Sequence, residues 1–141
     1  MVPEDLKLIS VSLILLVSCY TFANNSIKTS DFYFSGFPAL WNVLILYFYL
    51  LESSPLINFY IILFFALLTF IPFKYLHPFR VVELRKTSLS MLALWIITTV
   101  VLLYFPESAE VVTNTSFILW CFSNFYFLFI TIMRSLRKEQ I

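Results

Sequence analysis

The chain has 141 residues, of which 61% are apolar and 12% are charged, and its formal net charge is +1. Soluble domains carry about 25% charged residues, so this composition, with a mean hydropathy of +0.92, excludes a soluble globule and a nucleic-acid-binding domain. The single glycine and single histidine also leave too little for a glycine-rich phosphate loop or a histidine-based metal site.

Five charge-free runs of 20 to 23 residues follow one another along the chain. A helix rises about 1.5 Å per residue, so ~20 residues cross the ~30 Å hydrocarbon core of a bilayer. The sequence therefore predicts an all-α, polytopic transmembrane helical bundle that forms a single membrane domain over residues 1–141. The five predicted helices cover residues 6–23, 38–52, 56–76, 88–105 and 115–133.

Prolines and polar residues mark the predicted helix ends. Pro38 suits the first turn of the second helix, where a backbone N–H would have no helical partner anyway. Residues 52–55 predict a tight hairpin into the third helix. Pro72 and Pro78 are expected to close that helix, because proline cannot donate a backbone hydrogen bond.

The distribution of Lys and Arg predicts the orientation in the membrane. One face receives the N-terminus and residues 52–55 and 106–114, with one basic residue, whereas the opposite face carries eight. The basic face is expected to be cytoplasmic, which places the N-terminus outside and the C-terminus in the cytoplasm. An outside N-terminus predicts an odd number of further helices ahead of residue 2 in a longer chain.

The predicted cytoplasmic connection 24–42 holds the most unusual residues. It combines the only glycine with a lone acid–base pair, several aromatic rings and an amide just inside a helix. An amide in a membrane helix is costly unless it is paired or lines a polar cavity. The alternative is a plain interfacial segment, since aromatic rings belong at headgroup level. The candidate site residues here are Lys28, Asp31, Tyr33, Phe34, Gly36, Phe37, Pro38, Trp41 and Asn42.

A second cluster lies at the predicted end of the third helix. Lys74, His77 and Arg80 are three residues apart and would share one side of the chain if the helix continued. Cations at a helix C-terminus suit the macrodipole, and they also suit lipid phosphates. Ordinary positive-inside anchoring is the alternative explanation.

The two segments resemble markers of the bacterial phosphatidylcholine synthases, which are CDP-alcohol phosphatidyltransferases. The markers span residues 28–80, and the hydrophobic pattern agrees through residue 133. The first marker matches at Lys28, Thr29, Asp31, Tyr33, Phe34, Gly36, Phe37, Pro38, Trp41 and Asn42, and the second at Pro72, Lys74, Tyr75, His77, Pro78 and Arg80.

The resemblance implies that choline attacks the phosphatidyl phosphorus of CDP-diacylglycerol, which gives phosphatidylcholine and CMP. It also implies a Mn²⁺ or Mg²⁺ site on the cytoplasmic side of the bacterial inner membrane. The family's aspartate signature, which holds that metal, needs more aspartates and glycines than the two and one present here. The metal ligands are therefore expected in N-terminal helices outside this chain.

In an enzyme completed by the missing helices, both segments are expected to face one cytoplasmic cavity, and their side-chain chemistry predicts roles for individual residues. Lys74 and Arg80 are expected to meet the pyrophosphate of the liponucleotide, and His77 is expected to orient its neighbours. Choline is a quaternary ammonium, and aromatic faces attract such cations within ~6 Å of the ring centre. The rings expected to supply these faces are Tyr33, Phe34, Phe37 and Trp41.

Two hypotheses follow. The chain is the C-terminal part of a phosphatidylcholine synthase, truncated, split or mis-started, and inactive alone because two-metal phosphoryl transfer depends on its carboxylates. Its partners would then be membrane lipids, CDP-diacylglycerol, choline and a separate N-terminal half. The alternative is a small, non-enzymatic polytopic membrane protein with an interaction role, or a decayed remnant.

Overall fold

The computed structural model describes residues 1–24, 32–105 and 109–136. The fold is predominantly helical, as the sequence predicts, and a short 3-10 helix at Glu4–Leu6 precedes the first α-helix. The elements in chain order are α1 (Lys7–Ala23), β1 (Phe34–Ser35), α2 (Trp41–Leu50), α3 (Pro55–Leu68), β2 (Lys74–Tyr75), α4 (Arg85–Tyr104) and α5 (Glu110–Leu136).

Three helical segments in the described ranges are long and apolar enough to cross a membrane: Glu4–Ala23, Arg85–Tyr104 and Glu110–Leu136. The helices α2 and α3 are apolar but have only 10 and 14 residues. At about 1.5 Å per residue, neither reaches the ~30 Å that a straight span needs. The class of helical membrane protein is therefore supported, while the prediction of five spans is matched by only three helices of span length.

The predicted third helix is wrong at its C-terminal end, because α3 stops at Leu68 instead of residue 76. Pro72 has no N–H with which to continue the ladder. The backbone carbonyls of Leu68 and Phe73 instead accept hydrogen bonds from the N–H groups of Phe37 and Gly36, at 3.3 and 2.9 Å. Residues 74–80 are consequently not helical, and the expectation of a shared helix face for the second cluster is incorrect.

Three predicted helix starts also differ. The helix α2 begins at Trp41 and not at Pro38, because Ala39 has a φ of +56°, which a right-handed helix cannot contain. The helix α4 begins at Arg85 and α5 at Glu110, earlier than predicted. The prediction relied on charge-free runs, but a helix accepts charged side chains in its first turn, and an acidic one there suits the macrodipole.

The chain divides into two compact units. The first comprises Met1–Ser30 and Phe34–Tyr75, and the second comprises Asp31–Tyr33 and Leu76–Ile141. In the first unit, α1, α2 and α3 enclose an apolar core, and Tyr75 packs against it. The buried core residues are Val17, Phe37, Trp41, Leu44, Phe48, Ile62 and Ala66.

In the second unit, α4 packs along α5 through buried polar groups. The indole N–H of Trp120 donates to the hydroxyl of Thr99 at 3.1 Å. The hydroxyls of Ser88 and Tyr126 lie 3.0 Å apart and share a hydrogen bond. Hydrogen bonds of this kind join helices in membranes, where apolar surface alone supplies little driving force for association.

Candidate functional site

The two segments that the sequence singles out pair with each other as a short antiparallel sheet. Phe34 lies opposite Tyr75, and Ser35 lies opposite Lys74. Beyond the strands, the N–H of Gly36 donates to the carbonyl of Phe73 at 2.9 Å. The structure therefore joins in the first unit two segments that are about forty residues apart in sequence, a contact that the sequence analysis did not predict.

Gly36 is the point of closest approach between these segments. Its φ is +89°, and a β-carbon at this position would lie 2.3 Å from the carbonyl oxygen of Thr69. Only glycine adopts this conformation without strain and leaves room for the Thr69 backbone. The only glycine of the chain is thus explained by the passage of one backbone against another.

Phe37 anchors the paired segments to the core of the first unit. Its ring centre lies 5.2 Å from that of Trp41, 4.7 Å from that of Phe65 and 6.0 Å from that of Tyr75. Phe37 and Trp41 are only 5% and 6% exposed. Both rings therefore take part in apolar packing, and edge-to-face contacts of this kind add about 0.5–1.5 kcal/mol per pair.

Trp41 carries a buried hydrogen-bond donor. Its indole Nε1 is shielded from solvent and meets no acceptor among the described residues. An unpaired buried donor costs about 1–3 kcal/mol, so such a group in a functional segment calls for an explanation. Burial of Tyr75 in the same unit also raises the pKa of its phenol.

Tyr33 lies in the second unit, where its ring faces a cation from the far end of the chain. The guanidinium carbon of Arg134 is 5.8 Å from the centre of the Tyr33 ring. Arg134 also donates to the carboxylate of Glu83 at 2.8 Å. The sequence analysis did not include Arg134 among the candidate site residues, and no local pattern near residue 134 signals this contact.

His77 and Arg80 belong to the second unit, whereas Lys74 belongs to the first. Burial, with a smaller contribution from the positive charge of Arg80, lowers the pKa of His77 below its usual 6.5. The backbone N–H of Phe79 donates weakly to the Nδ1 atom of His77, at 3.4 Å. The lowered pKa favours the neutral form of the His77 ring.

The remaining candidates are less informative. Phe34, Pro38 and Lys74 are half-buried in the first unit, while Asn42 in the first turn of α2 is exposed. Lys28 and Asp31 lie outside the described residues, so the structure says nothing of them.

A divalent metal is the cofactor that the resemblance implies. Across residues 1–24, 32–105 and 109–136, no three or more His, Cys, Asp or Glu side chains come together as metal ligands. Mg²⁺ and Mn²⁺ prefer carboxylate oxygens. The described residues therefore do not fit this metal.

Comparison with known proteins finds relatives that are named phosphatidylcholine synthase. A phosphatidylcholine synthase of Pseudomonas aeruginosa is 35% identical over 137 residues, which cover 96% of this chain and 56% of the relative. The phosphatidylcholine synthase of Bradyrhizobium diazoefficiens is 39% identical over 95 residues, or 67% of this chain and 35% of the relative. That of Brucella melitensis is 33% identical over 105 residues, or 74% and 38%.

No protein-family model matches the chain, and no solved structure does. The span-length apolar helices define the class, a helical membrane protein. The relatives narrow this class further: the chain belongs to the family of bacterial phosphatidylcholine synthases, as the residues of the two segments predict. It spans about half the length of the Pseudomonas aeruginosa relative and about a third of the other two.

Proposed function

We propose that this chain forms part of an enzyme that transfers the phosphatidyl group of CDP-diacylglycerol to choline and releases CMP. The observation that carries the proposal is the 35% identity to a phosphatidylcholine synthase over 96% of the chain. The pairing of the two marker segments supports it, because they would then contribute to one site. The expected location is the bacterial inner membrane, with the site open to the cytoplasm.

The chain covers 56% of the Pseudomonas aeruginosa relative, and the matched part alone is not expected to supply every group that the reaction needs. We assign the metal-binding aspartates to the part of the relatives' length that this chain does not match. This chain would supply the frame that positions lipid and alcohol beside that metal site. Without the carboxylates, the developing charge on the phosphoryl oxygens lacks its main stabilisation, so we expect the chain alone to be inactive.

Trp41 is the residue that we place closest to substrate. Its ring is packed in the core, so its role is assigned to the buried N–H rather than to a ring face. A phosphate or ester oxygen of the lipid substrate would supply the missing acceptor. A hydrogen bond to a charged acceptor contributes about 1.5–3 kcal/mol, enough to affect binding of that substrate by one to two orders of magnitude.

Lys74 is the cation that the pairing brings into the same unit as Trp41. An ammonium on a flexible stem suits a phosphate that moves during a reaction. We assign it to the pyrophosphate of CDP-diacylglycerol. The aromatic contacts to choline would then come from rings on the paired strands. These are Phe34, which is half-buried, and Tyr75, which lies opposite it.

The proposal is tested by supplying the missing part. The chain is expressed alone, and as a fusion behind the unmatched portion of the Pseudomonas aeruginosa relative, in a host that makes no phosphatidylcholine. Membranes are assayed for incorporation of labelled choline into lipid with added CDP-diacylglycerol and Mn²⁺. We expect incorporation by the fusion and none by the chain alone.

Two results would speak against this assignment. Incorporation by the chain alone would refute the division of labour. A fusion that inserts and folds normally but incorporates no choline would favour the non-enzymatic membrane protein. The length of the membrane-inserted protein shows that the fusion is intact. Its resistance to protease in the membrane shows that it has folded.

A further inference from the structure

The stretch that leads into α4 carries an exposed surface for which the proposed reaction has no use. The interfacial segment is defined here as residues 79–86. Within it, Phe79 is 58% exposed and Val82 is 67% exposed. Val81 between them is only 4% exposed. The buried Val81 fixes the backbone, so the two apolar side chains on either side are presented outward.

The same segment is rich in positive charge. Arg80, Arg85 and Lys86 are exposed, and none of them forms an ion pair within the part of the chain that the structure describes. The one acidic residue of the segment, Glu83, is bound to Arg134 at 2.8 Å. Three cations therefore stand beside two exposed apolar side chains without a compensating anion.

The start of α4 adds to this positive potential. Arg85 and Lys86 occupy its first turn. The structure describes every residue of this turn, and none of them is acidic. The N-terminal end of a helix carries the positive pole of the macrodipole, so cations there are unfavourable by themselves. Leu84 at the N-cap offers no side-chain acceptor. An anion held at this end would offset both effects.

The expected position of the segment identifies the anion. The helix α4 has the length and hydropathy of a membrane span, so its first turn is expected at a membrane surface. Exposed apolar side chains interspersed with cations are typical of segments that lie in the headgroup region of anionic membranes.

We propose that the interfacial segment docks on anionic phospholipid of the bilayer surface. Phe79 and Val82 enter the headgroup region, while Arg80, Arg85 and Lys86 contact lipid phosphates. The sequence expectation gave Arg80 to the pyrophosphate of the liponucleotide. Both ligands carry phosphate groups, and Arg80 is assigned to the phosphates of the bulk lipid. It does not depend on the transfer reaction.

The test uses the full chain in lipid nanodiscs, where both membrane faces are accessible to reagents. A spin label is attached at Val82→Cys in a background of Cys19→Ser and Cys121→Ser. Its collision rates with oxygen and with a neutral nickel chelate are measured in phosphatidylcholine discs and in discs that contain phosphatidylglycerol. Neither kind of disc contains CDP-diacylglycerol. A label at Val111→Cys, exposed in the first turn of α5, is the matched control.

Phosphatidylglycerol is expected to raise the oxygen and lower the nickel collision rate at position 82 but not at position 111. Neutralising the cations with Arg80→Gln, Arg85→Gln and Lys86→Gln is expected to abolish the response, since three basic residues shift such an equilibrium on the order of a hundredfold. Equal values in both discs, or a response that survives neutralisation, would overturn the proposal. A response that requires added CDP-diacylglycerol would assign the segment to substrate instead.

Discussion

The carbonyl oxygen of Thr69 lies where the side chain of any other residue at position 36 would begin, 2.3 Å from the β-carbon that Gly36 lacks. This close approach allows the chain after β1 to run against the end of α3. It also accompanies the early end of that helix, because the carbonyl of Leu68, its last residue, accepts a hydrogen bond from the N–H of Phe37. The geometry of the paired segments thus depends on this one contact between two backbones.

Replacing Gly36 by alanine should destabilise the first unit. The new methyl group would collide with the Thr69 carbonyl, and alanine at a φ of +89° is strained, at a cost of about 1–3 kcal/mol. Thermal unfolding of the purified protein in detergent measures the effect. Ser35→Ala is the matched control, because Ser35 precedes Gly36 at the end of β1 and does not have a positive φ. Equal melting temperatures for Gly36→Ala and the control would contradict the close approach.

The junction of α4 and α5 offers a second pair of variants. Thr99 accepts the indole N–H of Trp120, whereas the hydroxyl of the adjacent Thr98 bonds only to carbonyls of its own helix. Thr99→Val should therefore lower stability by about 1–3 kcal/mol through the lost acceptor.

Thr98 is buried to a similar degree as Thr99, and Thr98→Val should lower stability less than Thr99→Val does. Thermal unfolding in the same detergent compares the two variants. If Thr98→Val proved as damaging as Thr99→Val, the hydrogen bond to Trp120 would not be what joins these helices.

Trp41→Phe tests the role assigned to the buried N–H. The substitution keeps an aromatic ring in the core and removes only the donor and part of the ring. If a substrate oxygen accepts this N–H, KM for CDP-diacylglycerol in the active fusion should rise by about tenfold to a hundredfold.

KM for choline should change little in the same variant. The melting temperature should fall only moderately, because the smaller ring leaves a cavity while the removal of an unpaired buried donor offsets part of that cost. An unchanged KM for the liponucleotide, with stability maintained, would show that the N–H does not meet this substrate.

The lowered pKa of His77 predicts a pH dependence of stability. Below its ordinary pKa of 6.5, the unfolded chain binds a proton that the folded chain resists, so stability should fall as the pH drops. The change should be small, because the ring is largely solvated and screened. His77→Gln should flatten it. Melting temperatures at about pH 7.5 and about pH 5.5 decide this, and an identical pH response in the variant would assign the dependence to other groups.

Local chemistry explains which parts of the fold could be predicted. The start of α3 at Pro55 is found within one residue of the predicted one, because Ser54 accepts a hydrogen bond from the N–H of Ile57 and proline suits the first helical turn. These signals lie within a few residues of one another. The helical class followed equally from the length of the apolar runs.

The parts that failed depend on contacts between distant residues. The last residue of α3, Leu68, bonds to Phe37, and the left-handed Ala39 delays the start of α2. The contact of Arg134 with Tyr33 likewise joins residues that are far apart in sequence. Apolar periodicity carries no information on such pairings, so the sequence singled out the two candidate segments but did not predict that they pair.

Disulfide cross-linking tests most directly the claim that the two marker segments form one paired unit. Ser35→Cys and Lys74→Cys are introduced together in a Cys19→Ser, Cys121→Ser background, and Ser35→Cys with Ser53→Cys is the control. Residues directly opposite in antiparallel strands have Cα atoms roughly 4.5–5.5 Å apart, within the range that a disulfide accepts. Mild oxidation in membranes should cross-link the first pair and leave the control open. Failure of the 35–74 pair to cross-link, or equal cross-linking in the control, would contradict the paired arrangement.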